Sequence, residues 1–214
     1  MLTVTKGAAP SCLTRLRATP GAVYENLGGD CKQAVREALA NEQRGLCCYC
    51  MKSIDPREVD GFNVEHWSAQ DGTRENDLGW GNLFGACTGG EGGPELHCDS
   101  GKGDRPLSTP PTAPGLEQRI SYARDGTIQA EGALHDDLTA KEKLNLNCSH
   151  LKSARAKAWS AFKVEGHRRA MSWSRDALER EIHRLTEAAR AFEYVGVHLY
   201  HLRKKLRTRP VQGG

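Results

Sequence analysis

An α+β fold is predicted by three features of the 214-residue sequence. Cys47, Cys50, Cys87 and Cys98 fall in two pairs within one glycine-rich stretch, which suits a shared metal ion. Residues 62–66, 119–122 and 127–130 alternate as short strands do, the last two flanking Asp125-Gly126. From about residue 138 the apolar positions recur at helical spacing. The chain divides accordingly into a loop and helix (1–45), a metal-bracketed core (46–105), a proline-rich linker with a hairpin (106–137) and a basic helical region (138–214).

Residues 1–30, punctuated by Pro10, Pro20 and Gly28-Gly29, read as loop with one short helix. Asp30 suits the N-cap of a helix ending at Gly45, with Ala34, Val35, Ala38 and Leu39 on its apolar face. Residues 46–52 form a tight knuckle and 62–66 a strand. Residues 68–79, polar and glycine-containing, are a loop; 82–87 run into the second knuckle, and Asp99 opens a short helix. Pro106, Pro110, Pro111 and Pro114 mark an extended linker. Leu151, Ala154, Ala158 and Phe162 make one helical stripe. A second helix, capped by Ser174 with Asp176 in its first turn, carries Leu178, Ile182, Leu185, Ala189 and Phe192, and Pro210 ends the pattern.

The net charge of +3 hides an asymmetry. Residues 1–137 hold 13 Lys/Arg against 20 Asp/Glu, a net of −7, and residues 138–214 hold 17 against 7, a net of +10. A basic region holding Arg168-Arg169 and Arg203-Lys204-Lys205-Leu206-Arg207 suits phosphate backbones, and equally an acidic partner or an ordinary solvated face. No apolar run approaches a membrane span and residues 1–10 lack a signal-peptide core, so a cytoplasmic protein is expected. Eight cysteines in that setting read as metal ligands or buried thiols before disulfides.

Four thiolates close the shell of a zinc ion, so no water is activated and the site is a staple. Cys48 in place of Cys47, and His97 in place of Cys98, remain alternatives. Cys12, Cys31, Cys48 and Cys148 read as small buried hydrophobes, and Cys148-Ser149-His150 as a structural Cys-x-His at a helix start.

Between the pairs stand Glu65-His66 and Asn82-Leu83, and Cys98 is followed by Asp99 and Lys102. This set resembles the zinc-bracketed HNH, or His-Me finger, endonucleases. Residues 43–50, 64–67, 80–83, 97–103 and 144–155 are similar to the HNH subunit of Septu and retron-associated anti-phage systems, the PtuB-like proteins. Two departures stand out: a ten-residue insert separates Cys87 from Cys98, and Asp99 takes the place of the commoner His or Asn. The resemblance implies a zinc-stapled ββα-metal core with mainly helical N- and C-terminal extensions. It also implies nucleic acid (DNA or RNA) as substrate, and a partner ATPase of the PtuA-like kind in a hetero-oligomer.

Phosphodiester cleavage needs a nucleophilic water, charge neutralisation at phosphorus and help for the leaving oxygen. His66 is the candidate base, since an imidazole titrates near neutrality. Glu65 and Asp99 are the candidate oxygen ligands of a catalytic Mg²⁺ or Mn²⁺. Asn82, by the resemblance, holds the loop that aims His66. Lys102 shares a helix face with Asp99 and suits a phosphate contact or support. Trp67 and Trp80 read as packing rather than base-stacking residues, and His198 and His201 as solvated or partner-facing. The competing expectation is an inert zinc-stapled module that binds nucleic acid or protein; the joint presence of Glu65, His66, Asn82 and Asp99 favours the enzyme.

Overall fold

A computed structural model describes residues 1–58, 60–91, 93–168 and 173–209; Arg169 and Pro210 lie outside the described residues. The chain is α+β, with eight α-helices and two small antiparallel sheets among the described residues. Helix α1 spans Ser11–Ala18 and α2 spans Gly29–Glu42. Gly28, not Asp30, holds the N-cap position of α2, and Asp30 lies in the first turn, where its charge complements the helix dipole. Arg44 (φ 58°) and Gly45 (φ 75°), both left-handed, turn the chain out of this helix and into the first knuckle.

Strand β1 (Asn63–His66) pairs with β2 (Leu83–Ala86), with Glu65 opposite Phe84 and His66 opposite Leu83. Between them lies a short helix, α3 (Arg74–Leu78), where the sequence suggested only a loop. Thr73 supplies the missing start signal: its side chain accepts from the Asn76 amide, a local cap that polarity alone does not reveal. Helix α4 spans Cys98–Lys102. The hairpin is confined to β3 (Ser121–Tyr122) and β4 (Ile128–Gln129).

Helix α5 (Gly132–Thr139) begins before residue 138, and α6 runs over Ser149–Arg168. The single long helix expected after Ser174 is two: α7 (Arg175–Glu187), capped by Ser174, and α8 (Val195–Arg207). Ala189 and Phe192 therefore leave the stripe, and Phe192 is 43% exposed. The break has a long-range cause. The Ala191 amide donates to the Arg44 carbonyl at 3.0 Å, and the Tyr194 amide to the Met51 carbonyl at 3.0 Å. Tyr194 itself is left-handed (φ 59°).

Two further expectations are corrected. Cys12 and Cys31 are not separate buried thiols; they form a disulfide that ties α1 to α2, with Cα atoms 5.8 Å apart. His198 and His201 do not face solvent. His198 is 2% exposed and stacks on Phe162, and His201 stacks on Trp159 with ring centroids 4.5 Å apart. Burial pushes both imidazoles down to about 4, so they pack as neutral rings.

The main apolar core gathers the first knuckle, the hairpin and the faces of α5–α8; a smaller one packs Leu13, Val35, Leu39, Leu78 and Leu83. Arg155, 1% exposed, joins hairpin to helix. Its Nε donates to the Gly126 carbonyl at 2.6 Å and its Nη2 to the Leu146 carbonyl. Replacing Arg155 by Ala strands both carbonyls and leaves a void, so denaturant melts should show a loss of about 3 kcal/mol. An unchanged midpoint would show that the hairpin is held by other contacts. Among the described residues no helix is long and apolar enough to cross a membrane.

Candidate metal centre and active site

The first knuckle is built by backbone bonds that turn Cys47 and Cys50 to one side. The Met51 amide donates to the Cys47 carbonyl (3.1 Å) and the Cys47 amide to the Lys52 carbonyl (2.8 Å), with Met51 in the left-handed region (φ 67°). The Lys52 amide then points at Cys50 Sγ, 3.4 Å away. Gln43, 6% exposed, fixes the knuckle against β2: its Nε2 donates to the Leu46 and Gly85 carbonyls, and its Oε1 accepts from the Gly85 amide.

The ten-residue insert after Cys87 folds back on itself. The His97 amide donates to the Gly89 carbonyl at 2.8 Å, which brings Cys98 beside Cys87 despite their separation in sequence. Gly89 (φ 64°) is required there, because a Cβ would overlap the His97 carbonyl oxygen.

These turns bring Cys47, Cys50, Cys87 and Cys98 together, all buried, with their sulfurs within 4.8 Å of one another. Cys47 and Cys98 Sγ are 3.9 Å apart, and Cys50 and Cys87 Sγ 3.6 Å. Four sulfurs about 2.3 Å from a tetrahedral zinc ion stand about 3.8 Å apart, so the donor set fits a metal such as zinc. Burial holds Cys98 well above the ordinary thiol range; Cys47, although buried, is held well below it by the thiols around it. Cys48 is buried beside the cluster but outside it, and His97 Nδ1 rests against Cys98 Sγ at 3.2 Å.

The second group lies along β1, whose side chains alternate between two faces. Glu65 points inward and is 3% exposed. Its Oε1 accepts from the Tyr49 hydroxyl at 2.7 Å and pairs with Lys102 Nζ at 2.8 Å. Lys102 is 1% exposed and also donates to the His66 carbonyl, so its charge is spent inside the fold. The half-buried Asp99 adjoins Glu65 and accepts from Asn63 Nδ2 at 2.9 Å. Burial and the Asp99 carboxylate push Glu65 up to about 8, outweighing the pull of Lys102.

His66 stands on the other face of β1, edge-on to Tyr24 with ring centroids 4.9 Å apart. Its Nε2 lies 3.1 Å from the Asp77 carbonyl. A carbonyl only accepts, so Nε2 carries the proton and Nδ1 is left with the lone pair. Burial pulls this imidazole below its ordinary value, which favours the neutral form. Asn82 brackets the arrangement. Its Oδ1 accepts from the Ser68 amide, and its Nδ2 donates to the Ser68 and Asn76 carbonyls, immediately after and before the segments that hold the His66 ring. The structure thus joins Glu65, Asp99 and Lys102, and places Asn82 behind His66.

A cleft of about 510 Å³ opens beside Asp99, lined also by Tyr24, Lys32, Arg36, Asn63 and Thr88. Arg36 donates to the Phe62 and Glu58 carbonyls, and Lys32 is exposed at the rim. Sequence reasoning missed Tyr49, Asn63 and Lys32. Tyr49 sits within the Cys47–Cys50 motif and Asn63 two residues before Glu65 on the same strand face, a period-2 signal that was available. Trp80 is 8% exposed, donates to Glu42 at 3.1 Å and lies under Lys6; Trp67 packs against the core. No family model matches the chain, and no curated protein matches it.

Proposed function

We propose that the chain is a metal-dependent endonuclease of the HNH type with a zinc-stapled ββα-metal core, similar to the PtuB-like nuclease subunits. The observation that carries this reading is the pairing on β1 of His66, with Nδ1 unprotonated, and Glu65, in contact with Asp99, inside a frame of four clustered thiols. His66 Nδ1 accepts a proton from the attacking water; the Asp77 carbonyl holds the ring in that tautomer, and Asn82 ties the segments around it through Ser68 and Asn76. Glu65 and Asp99 suit a hard divalent cation, because the two carboxylates adjoin and Lys102 pairs with Glu65. A bound Mg²⁺ or Mn²⁺ would neutralise charge on the scissile phosphate. Lys102 screens the carboxylates from below, and Lys32 at the cleft rim meets the phosphate backbone. DNA or RNA is the substrate, in a cytoplasmic defence complex with an ATPase partner, to which the basic helices contribute.

One observation favours a second reading, the inert binding module: Glu65 is buried and already satisfied by Tyr49 and Lys102, as a purely structural carboxylate would be. Incubation with plasmid, single-stranded DNA and total RNA, with Mg²⁺ or Mn²⁺ and with and without the ATPase, separates the two. Cleavage is expected in the wild type. Asp99→Ala should need more than about tenfold higher Mn²⁺ for the same rate, having lost one of two proposed ligands. Binding without cleavage under every condition would establish the module; an unchanged metal requirement would make Asp99 a helix-terminal acid only.

A further inference from the structure

We propose that His97, Cys148 and His150 form a second metal site, of the zinc class and separate from the four-cysteine cluster. The inference does not depend on the nuclease reading. The three residues each present a ligand atom, and these atoms lie within 4.8 Å of one another. Cys148 Sγ is 3.5 Å from His150 Nδ1, and the rings of His97 and His150 are 4.7 Å apart between centroids. A tetrahedral ion with Zn–S near 2.3 Å and Zn–N near 2.1 Å sets neighbouring ligand atoms about 3.5 Å apart. Two imidazoles and a thiolate suit zinc and exclude the oxygen-seeking Mg²⁺ and Ca²⁺.

A Cys-x-His pair at a helix start is by itself unremarkable. The third ligand changes that. His97 arrives from the end of the insert, 51 residues before Cys148, and the two segments are clamped together independently of the ligands. The Cys98 amide donates to the Leu144 carbonyl at 3.0 Å, Asn145 Nδ2 to the Leu96 carbonyl at 2.8 Å, and the Ser149 amide to Glu95 Oε2 at 3.0 Å. The ligands are therefore set by backbone fixed on both sides. His97 and Cys148 are each 2% exposed while His150 is exposed, so an ion can enter from the His150 side. Three protein ligands leave one of four positions for water or a partner's side chain. The ion would staple the insert to the start of α6.

His97 also touches Cys98, so substituting it would disturb both ligand sets. The test therefore uses Cys148→Ser and the exposed His150→Ala in the full chain, with zinc counted by elemental analysis and folding checked by circular dichroism. The wild type should hold about two zinc ions per chain and each variant about one, as two separate tetrahedral sites require. In cobalt-loaded protein each variant should lose part, and not all, of the thiolate-to-cobalt charge-transfer absorption. One zinc in the wild type that both folded variants retain would overturn the second site. One zinc that both variants lose, but that survives Cys47→Ser with Cys50→Ser, would uphold the second site and overturn the four-cysteine one.

Discussion

If the four-cysteine cluster holds zinc as proposed, replacing Cys47 and Cys50 together by Ser is expected to abolish that binding and unfold the region around it. The reason is a comparison of magnitudes. Structural zinc contributes on the order of 10–16 kcal/mol to small zinc-bound folds, as much as the roughly 5–15 kcal/mol of net stability of a whole domain. Gln43 and the main core hold the knuckle as well, but the secondary structure here is small: the sheet is four residues per strand, and the insert is fixed by a few bonds within itself and to residues 144–149. Both knuckles and the N-terminus of α4 converge on the same four sulfurs. Elemental analysis should show the loss of this zinc, and circular dichroism the loss of a cooperative melt. A melt unchanged from the wild type would mean that the thiols are only packed apolar groups.

The second large effect concerns turnover. His66→Ala should lower the cleavage rate by roughly 10²–10⁴, the usual worth of a positioned general base, with zinc content and melting behaviour intact. Only one ring nitrogen is available for that work, because Nε2 is committed to the Asp77 carbonyl. The ring packs on Tyr24 at the edge of the smaller core, so its removal should cost little stability. Single-turnover rates at saturating Mg²⁺ are the measurement, and a rate equal to wild type would place the base elsewhere.

The legible parts of this molecule are those whose causes are local. The Cys47–Cys50 spacing, the Glu65-His66 neighbourhood, the Asp125-Gly126 turn and the Ser174 cap each carry their signal within a few residues. What escaped depends on partners far away in the chain. The break between α7 and α8 exists because Ala191 and Tyr194 bond to carbonyls of Arg44 and Met51. Lys102 suits a phosphate contact or support by its spacing, but it is buried against the Glu65 that β1 presents to it. Cys12 and Cys31 are bonded because α1 and α2 pack together in the smaller core, which no spacing rule encodes. His198 and His201 share a helix face, as their spacing says, but only the packing of α6 shows that the face is turned inward. His97 finds Cys148 and His150 only once the insert has folded back.

The bonds between the first knuckle and the turn before α8 also set an order of events during synthesis. Arg44 Nε donates to the Ala188 carbonyl, and the Ser53 amide to Glu193, across 144 and 140 residues. At about 5–20 residues per second the ribosome makes those acceptors roughly 7–30 s after the knuckle. For that interval the cysteines emerge without their C-terminal buttress. A metal ion taken up by the four thiols in that interval would hold the knuckle until those acceptors arrive.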